Sequence, residues 1–428
     1  MASSSSSEPD PLPPVPRPPP WVALARVALV PPRAVGDMSL SLLDPPRISR
    51  YFLPTNLHPD PDCADKEPYV VAANAAGLVV HVSGNPKLDS RSWDVLLVAP
   101  AHGFRPADPA ADRDVPTCTP VRLPDRAPEQ VRISSIRTIG LLPLPDGDYV
   151  VAELVVGPSC AALLTFRSGE GDWVESALTV PPVTAAYGAT RWTPHDVVHH
   201  AGNLWWIDLA RGLLFCNPVA DDPPLRFVEL PATIDLQLRA EPREHIEFYR
   251  IVSETGGRLR FVDVAQSSRA ATPGDTEVVV WTLTVDVRSG AASWKHGERV
   301  TTTMANIWAG ENFRRSGIPE IVPAPVLVHP AKPDVVYFYQ PQFLYGVDVR
   351  RGELLKAVKS DGGPRPTITS RRALAWVVPP SLLNVILPGD EHHSSEECQS
   401  SEPSSDLTDK KENTLSNPFQ GRVVSHVG

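Results

Sequence analysis

A repeated motif with constant spacing is the feature that most constrains the fold of this chain. The motif reads Gly, any residue, an apolar residue, and then a mostly apolar run that closes on an acidic residue and an apolar one. Its copies begin at Gly147, Gly202 and Gly257, so successive copies start 55 residues apart. A fixed period of tens of residues in strand-like units is typical of β-propellers, in which each unit forms one blade. The spacing therefore predicts a repeat architecture.

The high proline content of this chain favours an all-β fold over a helical one. The 428 residues include 49 prolines, which is about twice ordinary usage. Proline is excluded from helix interiors and central strands. No ten-residue stretch combines a 3.6-residue apolar period with good helix formers. The sequence therefore predicts short strands and loops.

Other segments extend the repeat in both directions. The segment 69–72 (Tyr-Val-Val-Ala) is identical to 149–152, which indicates a unit before the first clear copy. Pro-rich insertions are expected at 100–130 and at 298–333. A strand at 372–378 is predicted to close the ring with the apolar segment 21–30, since closure removes exposed strand edges. The expected fold is one all-β propeller-like domain of about six four-stranded blades, with five or seven blades or paired β-sandwiches as alternatives.

Two turn signatures support hairpins within the units. Arg-Ser-Gly at 167–169 precedes Trp173, and the same tripeptide at 288–290 precedes Trp294, with three residues between Gly and Trp in both. Gly supplies the positive φ of a tight turn. Related turns at 208–212 and 348–352 begin with Asp, whose carboxylate can accept hydrogen bonds from turn amides. Trp294 and Trp206 are predicted to be core residues.

The composition of the ends differs from that of the middle. Residues 1–19 are rich in Ser and Pro and residues 389–428 are polar, so both are predicted to be disordered tails around a domain at 20–388. The serines after Met1 faintly resemble a plastid transit peptide, but Glu8 and Asp10 argue against one.

The cysteine pattern favours a protein of the cytosol or nucleus. The five cysteines lie far apart without a Cys-x-x-Cys pair, which indicates a reducing compartment. The formal charge of −10 argues against a nucleic-acid surface, which needs clustered Lys and Arg. The sequence contains no run of about twenty apolar residues, so no membrane-spanning helix is predicted.

The segment 195–200 (His-Asp-Val-Val-His-His) is the densest polar cluster. On a helix, His195 and His199 would share one face and could bind a metal ion. The valines before a Gly-Asn turn favour a strand, where the two histidines lie about 13 Å apart at ~3.3 Å per residue. No metal is therefore predicted. His195, Asp196 and His199 remain weak candidates for ligand or partner contact.

Trp205 is the remaining weak candidate, as part of an aromatic platform with Trp206. With apolar neighbours on both sides, packing between blades is the preferred interpretation.

Motifs of common enzyme classes are missing from the sequence. There is no Gly-x-Ser-x-Gly elbow, no Gly-x-x-x-x-Gly-Lys phosphate loop and no Gly-x-Gly-x-x-Gly fingerprint. The acid pair at 221–222 precedes two prolines, which favours a solvated loop over a glycosidase pair. No catalytic residue and no cofactor is predicted.

The segment 194–231 carries a family resemblance. With residues 21–24 and the Trp-Val-Glu hairpin at 173–175, it resembles the plant family known as Domain of Unknown Function 1618 (DUF1618). The resemblance covers roughly residues 20–380. It implies no catalytic residues, because the family has no established activity.

These observations favour a non-enzymatic protein-interaction scaffold whose partner is another protein. A hydrolase with a site in the central pocket and a module that binds small molecules or glycans are the alternatives.

Overall fold

The computed structural model describes eleven stretches of the chain. They are residues 19–29, 37–57, 67–83, 94–106, 115–157, 160–182, 192–231, 243–265, 272–286, 290–359 and 373–386. The tails predicted at 1–19 and 389–428 lie outside these stretches, apart from Pro19.

Short strands dominate the described residues. The first thirteen are β1 (Trp21–Ala25), β2 (Met38–Ser41), β3 (Ile48–Phe52), β4 (Tyr69–Asn74), β5 (Gly77–Ser83), β6 (Asp94–Pro100), β7 (Thr117–Cys118), β8 (Val121–Arg122), β9 (Ile139–Pro143), β10 (Tyr149–Val156), β11 (Ala161–Arg167), β12 (Val174–Leu178) and β13 (Asp196–His200). The others are β14 (Asn203–Asp208), β15 (Gly212–Cys216), β16 (Arg226–Glu229), β17 (Arg250–Thr255), β18 (Arg258–Ala265), β19 (Glu277–Val285), β20 (Ala292–Trp294), β21 (Val300–Thr303), β22 (Ala324–Val328), β23 (Val335–Gln340), β24 (Phe343–Asp348), β25 (Glu353–Lys359) and β26 (Ala373–Val377). Three short helices are α1 (Met304–Ala309), α2 (Glu311–Ser316) and α3 (Pro380–Ile386).

These strands form the six blades of a β-propeller, as predicted. From the inside outwards, blade 1 is β26-β1-β3-β2-β7, blade 2 is β4-β5-β6-β8 and blade 3 is β9-β10-β11-β12. Blade 4 is β13-β14-β15-β16, blade 5 is β17-β18-β19-β20 with β21 also paired to β19, and blade 6 is β22-β23-β24-β25. Each innermost strand contacts that of the next blade, and β22 of blade 6 contacts β26 of blade 1. The blades therefore form a closed ring.

The three motif copies occupy equivalent positions, which explains the 55-residue period. They form β10, β14 and β18, the second strands of blades 3, 4 and 5. The alignment of 69–72 with 149–152 was wrong in position, because β4 is a first strand and β10 a second strand. First and second strands are both buried on both faces, so their sequences look alike.

The predicted closure of the ring is confirmed. β26 pairs with β1 in antiparallel register from Trp21 opposite Val377 to Ala25 opposite Ala373. The innermost strand of blade 1 thus comes from the end of the domain and its second strand from the beginning. Blade 1 also departs from a simple meander, because β1 and β3 pair in parallel and β2 lies outside β3.

The core consists of separate apolar clusters between neighbouring blades. Strand β14 shows how one strand serves two of them: Trp206 packs with Leu142 of blade 3, whereas Trp205 packs with Phe261 of blade 5. Both tryptophans are completely buried. Alternate residues of a strand point to opposite faces, so an apolar run on both faces is what a sheet between two sheets requires.

The turn signatures are partly confirmed. Gly169 has a φ of 82° in the turn between β11 and β12, and Trp173 beyond it is buried. Gly290 has a φ of 64°, but Arg288 and Ser289 lie outside the described residues. Trp294 was predicted to be a core residue and is only half-buried, because β20 is the outer strand of its blade.

The carboxylates of the two Asp turns accept amide hydrogen bonds as expected. Asp208 accepts from the amide of Ala210 at 3.0 Å, and Asp348 accepts from that of Arg351 at 3.1 Å. The two turns are not equivalent, since one joins second and third strands and the other joins third and outer strands.

The two predicted insertions contain regular structure that the sequence analysis missed. Segment 100–130 supplies β7 and β8, the outer strands of blades 1 and 2, while its residues 107–114 lie outside the description. Segment 298–333 supplies β21, α1, α2 and the innermost strand of blade 6. Each of these helices has six residues, too few to show a 3.6-residue period over ten positions. In the described ranges, no helix has the length and apolarity needed to cross a bilayer.

Candidate functional site

The innermost strands enclose a cavity of about 270 Å³ on the propeller axis. Its walls are mainly small apolar side chains, including Val71, Val198, Val252 and Leu327. The innermost strands all run in one direction, and in blades 2 to 6 each of them ends at a turn that leads into the second strand of its blade. We call the end of the ring with these turns the hairpin face.

The end of the cavity away from the hairpin face is closed by an ion pair that crosses the axis. Arg26 directly follows β1 of blade 1, and Asp196 begins β13 of blade 4, the opposite blade of the ring. Arg26 Nη2 lies 2.9 Å from Asp196 Oδ2, and both side chains are about nine-tenths buried. Arg26 Nη1 also donates to the carbonyls of Val70 and Val71 in blade 2, at 3.3 Å each. One side chain thus joins three blades.

We call the end of the cavity that this ion pair closes the floor. The charges there favour the protonated form of the Arg26 guanidinium. Burial by itself lowers the pKa of Arg26, but the negative charge of Asp196 and its hydrogen bond outweigh that effect, and the pKa lies above its ordinary value. The ring of Tyr69 adds a face at 5.7 Å from the guanidinium carbon. Because a buried ion pair is costly to break from one side only, we assign Arg26 and Asp196 a structural role in the floor.

The mouth of the cavity lies at the hairpin face and is more exposed. Val377, the last residue of β26, is 56% exposed, and Ala75 in the turn after β4 is also exposed. Asn74 donates to the carbonyl of Leu141 at 2.7 Å and so ties blade 2 to blade 3. Half-buried Glu254 and His199 line the cavity at neighbouring blades.

Burial shifts both of these titratable groups toward their neutral forms. Burial raises the pKa of Glu254, against the lowering effect of a hydrogen bond from the Gly257 amide. Burial lowers the pKa of His199, and repulsion from His200 adds to this. Within the described residues, no hydrogen bond links Glu254 or His199 to another ionisable side chain. The cavity therefore offers apolar walls and isolated polar groups rather than a coupled acid and base.

The cavity brings together two of the four candidates from the sequence, Asp196 and His199. His195 lies outside it, where its Nδ1 accepts the amide of Leu209 at 3.1 Å, 3.8 Å from the carboxylate of Asp208. The segment forms strand β13 as expected. Among the described residues, no group of three or more His, Cys, Asp or Glu side chains could hold a metal ion.

Trp205 lies in the interface between blades 4 and 5. Its ring is stacked on Phe215 with centroids 3.9 Å apart, and its Nε1 donates to the carbonyl of His200 at 3.1 Å. The side chain is completely buried. It therefore presents no face to a ligand in this structure.

Sequence reasoning missed Arg26, Asn74 and Glu254. One feature of the sequence could have indicated Arg26: it is a single charged residue directly after an apolar strand, a position at which a side chain needs a buried partner. Its partner is 170 positions away, so only the ring closure reveals the pair. Asn74 and Glu254 sit at strand ends, where polar residues are ordinary.

The comparison with protein families yields a match in the middle of the chain. The model of the family described as protein of unknown function (DUF1618) matches residues 206–337. This region belongs to the DUF1618 family. The DUF1618 region extends from the second strand of blade 4 into the second strand of blade 6. No curated protein sequence matches the chain significantly.

Solved structures resemble the chain only distantly. A protein of unknown function from Bacteroides caccae has 13% identity and a TM-score of 0.30, covering 73% of this chain and 86% of its own. The Cps50 (Swd1) β-propeller domain of Myceliophteria thermophila has 13% identity and a TM-score of 0.31, with coverages of 70% and 83%. BamB from Moraxella catarrhalis has 9% identity and a TM-score of 0.27, with coverages of 68% and 76%. At these scores the similarities carry no argument about function, and the fold rests on the strand pairing described above.

Proposed function

We propose that the protein is a non-enzymatic interaction scaffold that contacts a partner protein through the mouth of its central cavity. The observation that supports this most is the exposure of Val377 at the rim of an apolar-walled cavity. A large exposed apolar side chain beside a concave surface is typical of contact sites. A cavity of about 270 Å³ accommodates one or two side chains of a partner.

The chemistry of the cavity favours binding over catalysis. A hydrolase requires a nucleophile or activated water beside a general base. In this cavity the described pair within hydrogen-bond distance is Arg26–Asp196, which is buried and serves the floor. A glycan-binding module typically offers an aromatic platform, and no Trp, Tyr or Phe is among the described residues that line the cavity. Partner binding is therefore the function we favour.

A comparison of captured proteins tests the proposal. The full chain and a Val377→Lys variant are used as baits, with Val174→Lys as the matched control. Val174 is 51% exposed but lies on β12, the outer strand of blade 3, away from the mouth. A lysine at the mouth places a strongly hydrated charge on the apolar rim, so partners held there should be lost with Val377→Lys and kept with Val174→Lys.

Either of two results would overturn the proposal. One is the same set of captured proteins for all three baits. The other is turnover of a compound from a hydrolase substrate panel by the purified chain, abolished by Val377→Lys.

A further inference from the structure

Glu254 is a carboxylate at the mouth of the central cavity that has no cationic partner among the described residues. It lies near the end of β17 and lines the cavity. The other acid of the described lining, Asp196, is paired with Arg26 at 2.9 Å, whereas the ion pairs of the described chain do not include Glu254. A half-buried acid without a counter-charge is costly. The structural role of the floor therefore does not account for Glu254.

The position of Glu254 is fixed by the hydrogen bonds of the two residues that follow it. Thr255 donates its hydroxyl to the carbonyl of His329 at 2.6 Å. Gly256 donates its amide to the carbonyl of Pro330 at 2.8 Å. Both carbonyls directly follow β22, so these bonds attach the turn after β17 to blade 6. A carboxylate on such a fixed turn binds a partner with little further loss of conformational freedom.

The depth of Glu254 in the cavity selects a long side chain. Glu254 lies two residues before Gly256, the first residue of the turn at the hairpin face, and so about 7 Å below that turn at ~3.3 Å per residue. The adjacent walls of the cavity are apolar, because Val198 of β13 and Val252 of β17 line it and belong to the cluster between blades 4 and 5. Alternation along β17 places Glu254 on the same face as Val252. A side chain that enters from the hairpin face thus needs an apolar stem and a polar tip.

The charges at this depth favour a cationic tip. The pKa of Glu254 is raised by burial and lowered by the amide of Gly257, with no contribution from a charged side chain of the described residues. His199 lies at the same level on β13, and burial lowers its pKa, so its imidazole is neutral at pH 7 and does not repel a cation. The Arg26–Asp196 pair lies about 10 Å deeper, since Asp196 precedes His199 by three residues at ~3.3 Å each. The charge of Arg26 is therefore both distant and compensated.

We propose that the mouth of the central cavity receives a basic side chain, Lys or Arg, of the partner protein, whose cationic tip pairs with Glu254. This inference rests on the proposed function, because it takes the mouth as the contact site, and it adds the chemistry of the partner. The apolar stem packs against Val198 and Val252, and the tip forms a charge-assisted hydrogen bond with the carboxylate. The formal charge of −10 on the chain attracts a basic partner over a longer range.

Retention of peptide libraries on the immobilised full chain tests this chemistry. Each library has one fixed central residue, either Lys, Arg, norleucine or Glu, between randomised positions from which Lys and Arg are excluded. The Lys or the Arg library should be retained about tenfold more strongly than the norleucine library, as expected for one hydrogen bond to a charged group. Equal or stronger retention of the norleucine or the Glu library overturns the proposal.

Two variants that remove the same charge separate the mouth from general attraction to an acidic protein. Glu254→Gln keeps the size of the side chain and an acceptor for the Gly257 amide, and it should abolish the preference for the Lys and Arg libraries. Glu353→Gln is the matched control, because Glu353 is exposed on β25, the outer strand of blade 6, and it should leave the preference unchanged. Thermal melts check that both variants are folded. A preference that persists in Glu254→Gln places the basic side chain elsewhere and refutes the assignment.

Capture of proteins with Glu254→Gln as an additional bait separates this inference from the proposed function. Partners that are lost with Val377→Lys should also be lost with Glu254→Gln and kept with Glu353→Gln. If Val377→Lys loses them and Glu254→Gln keeps them, the mouth is the contact site but its ligand is not a basic side chain, so this inference alone fails. If Val377→Lys loses no partner, the proposed function fails and this inference fails with it.

Discussion

Replacement of Trp206 tests the packing between blades most directly. The side chain is completely buried between blades 3 and 4, and its Nε1 donates to the carbonyl of Thr138 at 2.7 Å. Removal of a buried Trp side chain to Ala costs about 3–5 kcal/mol, because transfer free energy is lost and a cavity remains. We expect the free energy of unfolding to fall by this amount in Trp206→Ala.

The expected change in melting temperature follows from the size of the domain. Unfolding entropy is about 2.1 cal/mol/K per residue. Over the roughly 300 residues that the structure describes, a loss of about 4 kcal/mol lowers the Tm by about 6 °C. Scanning calorimetry measures this shift, provided that unfolding is reversible and close to two-state.

Two control variants separate packing from the hydrogen bond. Trp206→Phe keeps most of the buried ring but leaves the Thr138 carbonyl without its donor, which costs about 1–3 kcal/mol. Trp294→Ala removes a half-buried ring from an outer strand and should cost less than Trp206→Ala. If Trp206→Ala lowers the Tm no more than Trp294→Ala does, the packing of Trp206 between blades 3 and 4 does not stabilise the domain as we infer.

Three further predictions concern the ring and its axis. Truncation after Lys359 removes β26 and should abolish cooperative unfolding in a thermal melt. Truncation after Pro388 keeps β26 and should leave the Tm unchanged. If the two truncated chains have the same melting curve, β26 does not close the ring. Asp196→Asn leaves the buried Arg26 without its counter-charge and should lower the free energy of unfolding, measured by chemical denaturation, by about 3–5 kcal/mol. Adding Arg26→Met to this variant should recover part of the lost stability. If the double variant recovers none of it, the two side chains do not form a stabilising pair. Burial lowers the pKa of His199 and His200, so below about pH 6.5 the unfolded chain binds more protons than the folded one and stability falls as the pH decreases. The drop in Tm between pH 7.5 and 5.5 should be smaller when both histidines are replaced by Asn, and an unchanged drop would assign the pH dependence to other groups.

The sequence was most informative where the repeat is regular. The 55-residue spacing located the second strands of blades 3 to 5, because the chain passes through the same four-strand meander each time. The closing strand near residue 372 was also predictable, since an open ring would leave β1 with a free apolar edge. Blade 1 was not, because β2 and β3 exchange positions and β7 arrives from the 100–130 segment, and no local sequence pattern encodes such an exchange.

The candidate site was less predictable than the fold. Asp196 and His199 stood out as polar residues in an apolar strand, and both line the central cavity. Arg26 could not be linked to them, since its partner lies on the opposite blade.

The pairing of β26 with β1 has a consequence for synthesis of the chain. The two partners lie about 350 residues apart, so at translation rates of about 5–20 residues per second the inner edge of β1 waits some 20–70 s for its partner. During this interval five blades can assemble while blade 1 remains incomplete and its apolar edge stays available to other strands. Such long-range pairing is intrinsically slow. A nascent chain halted before residue 373 is thus the form of this protein for which we expect the greatest dependence on chaperones.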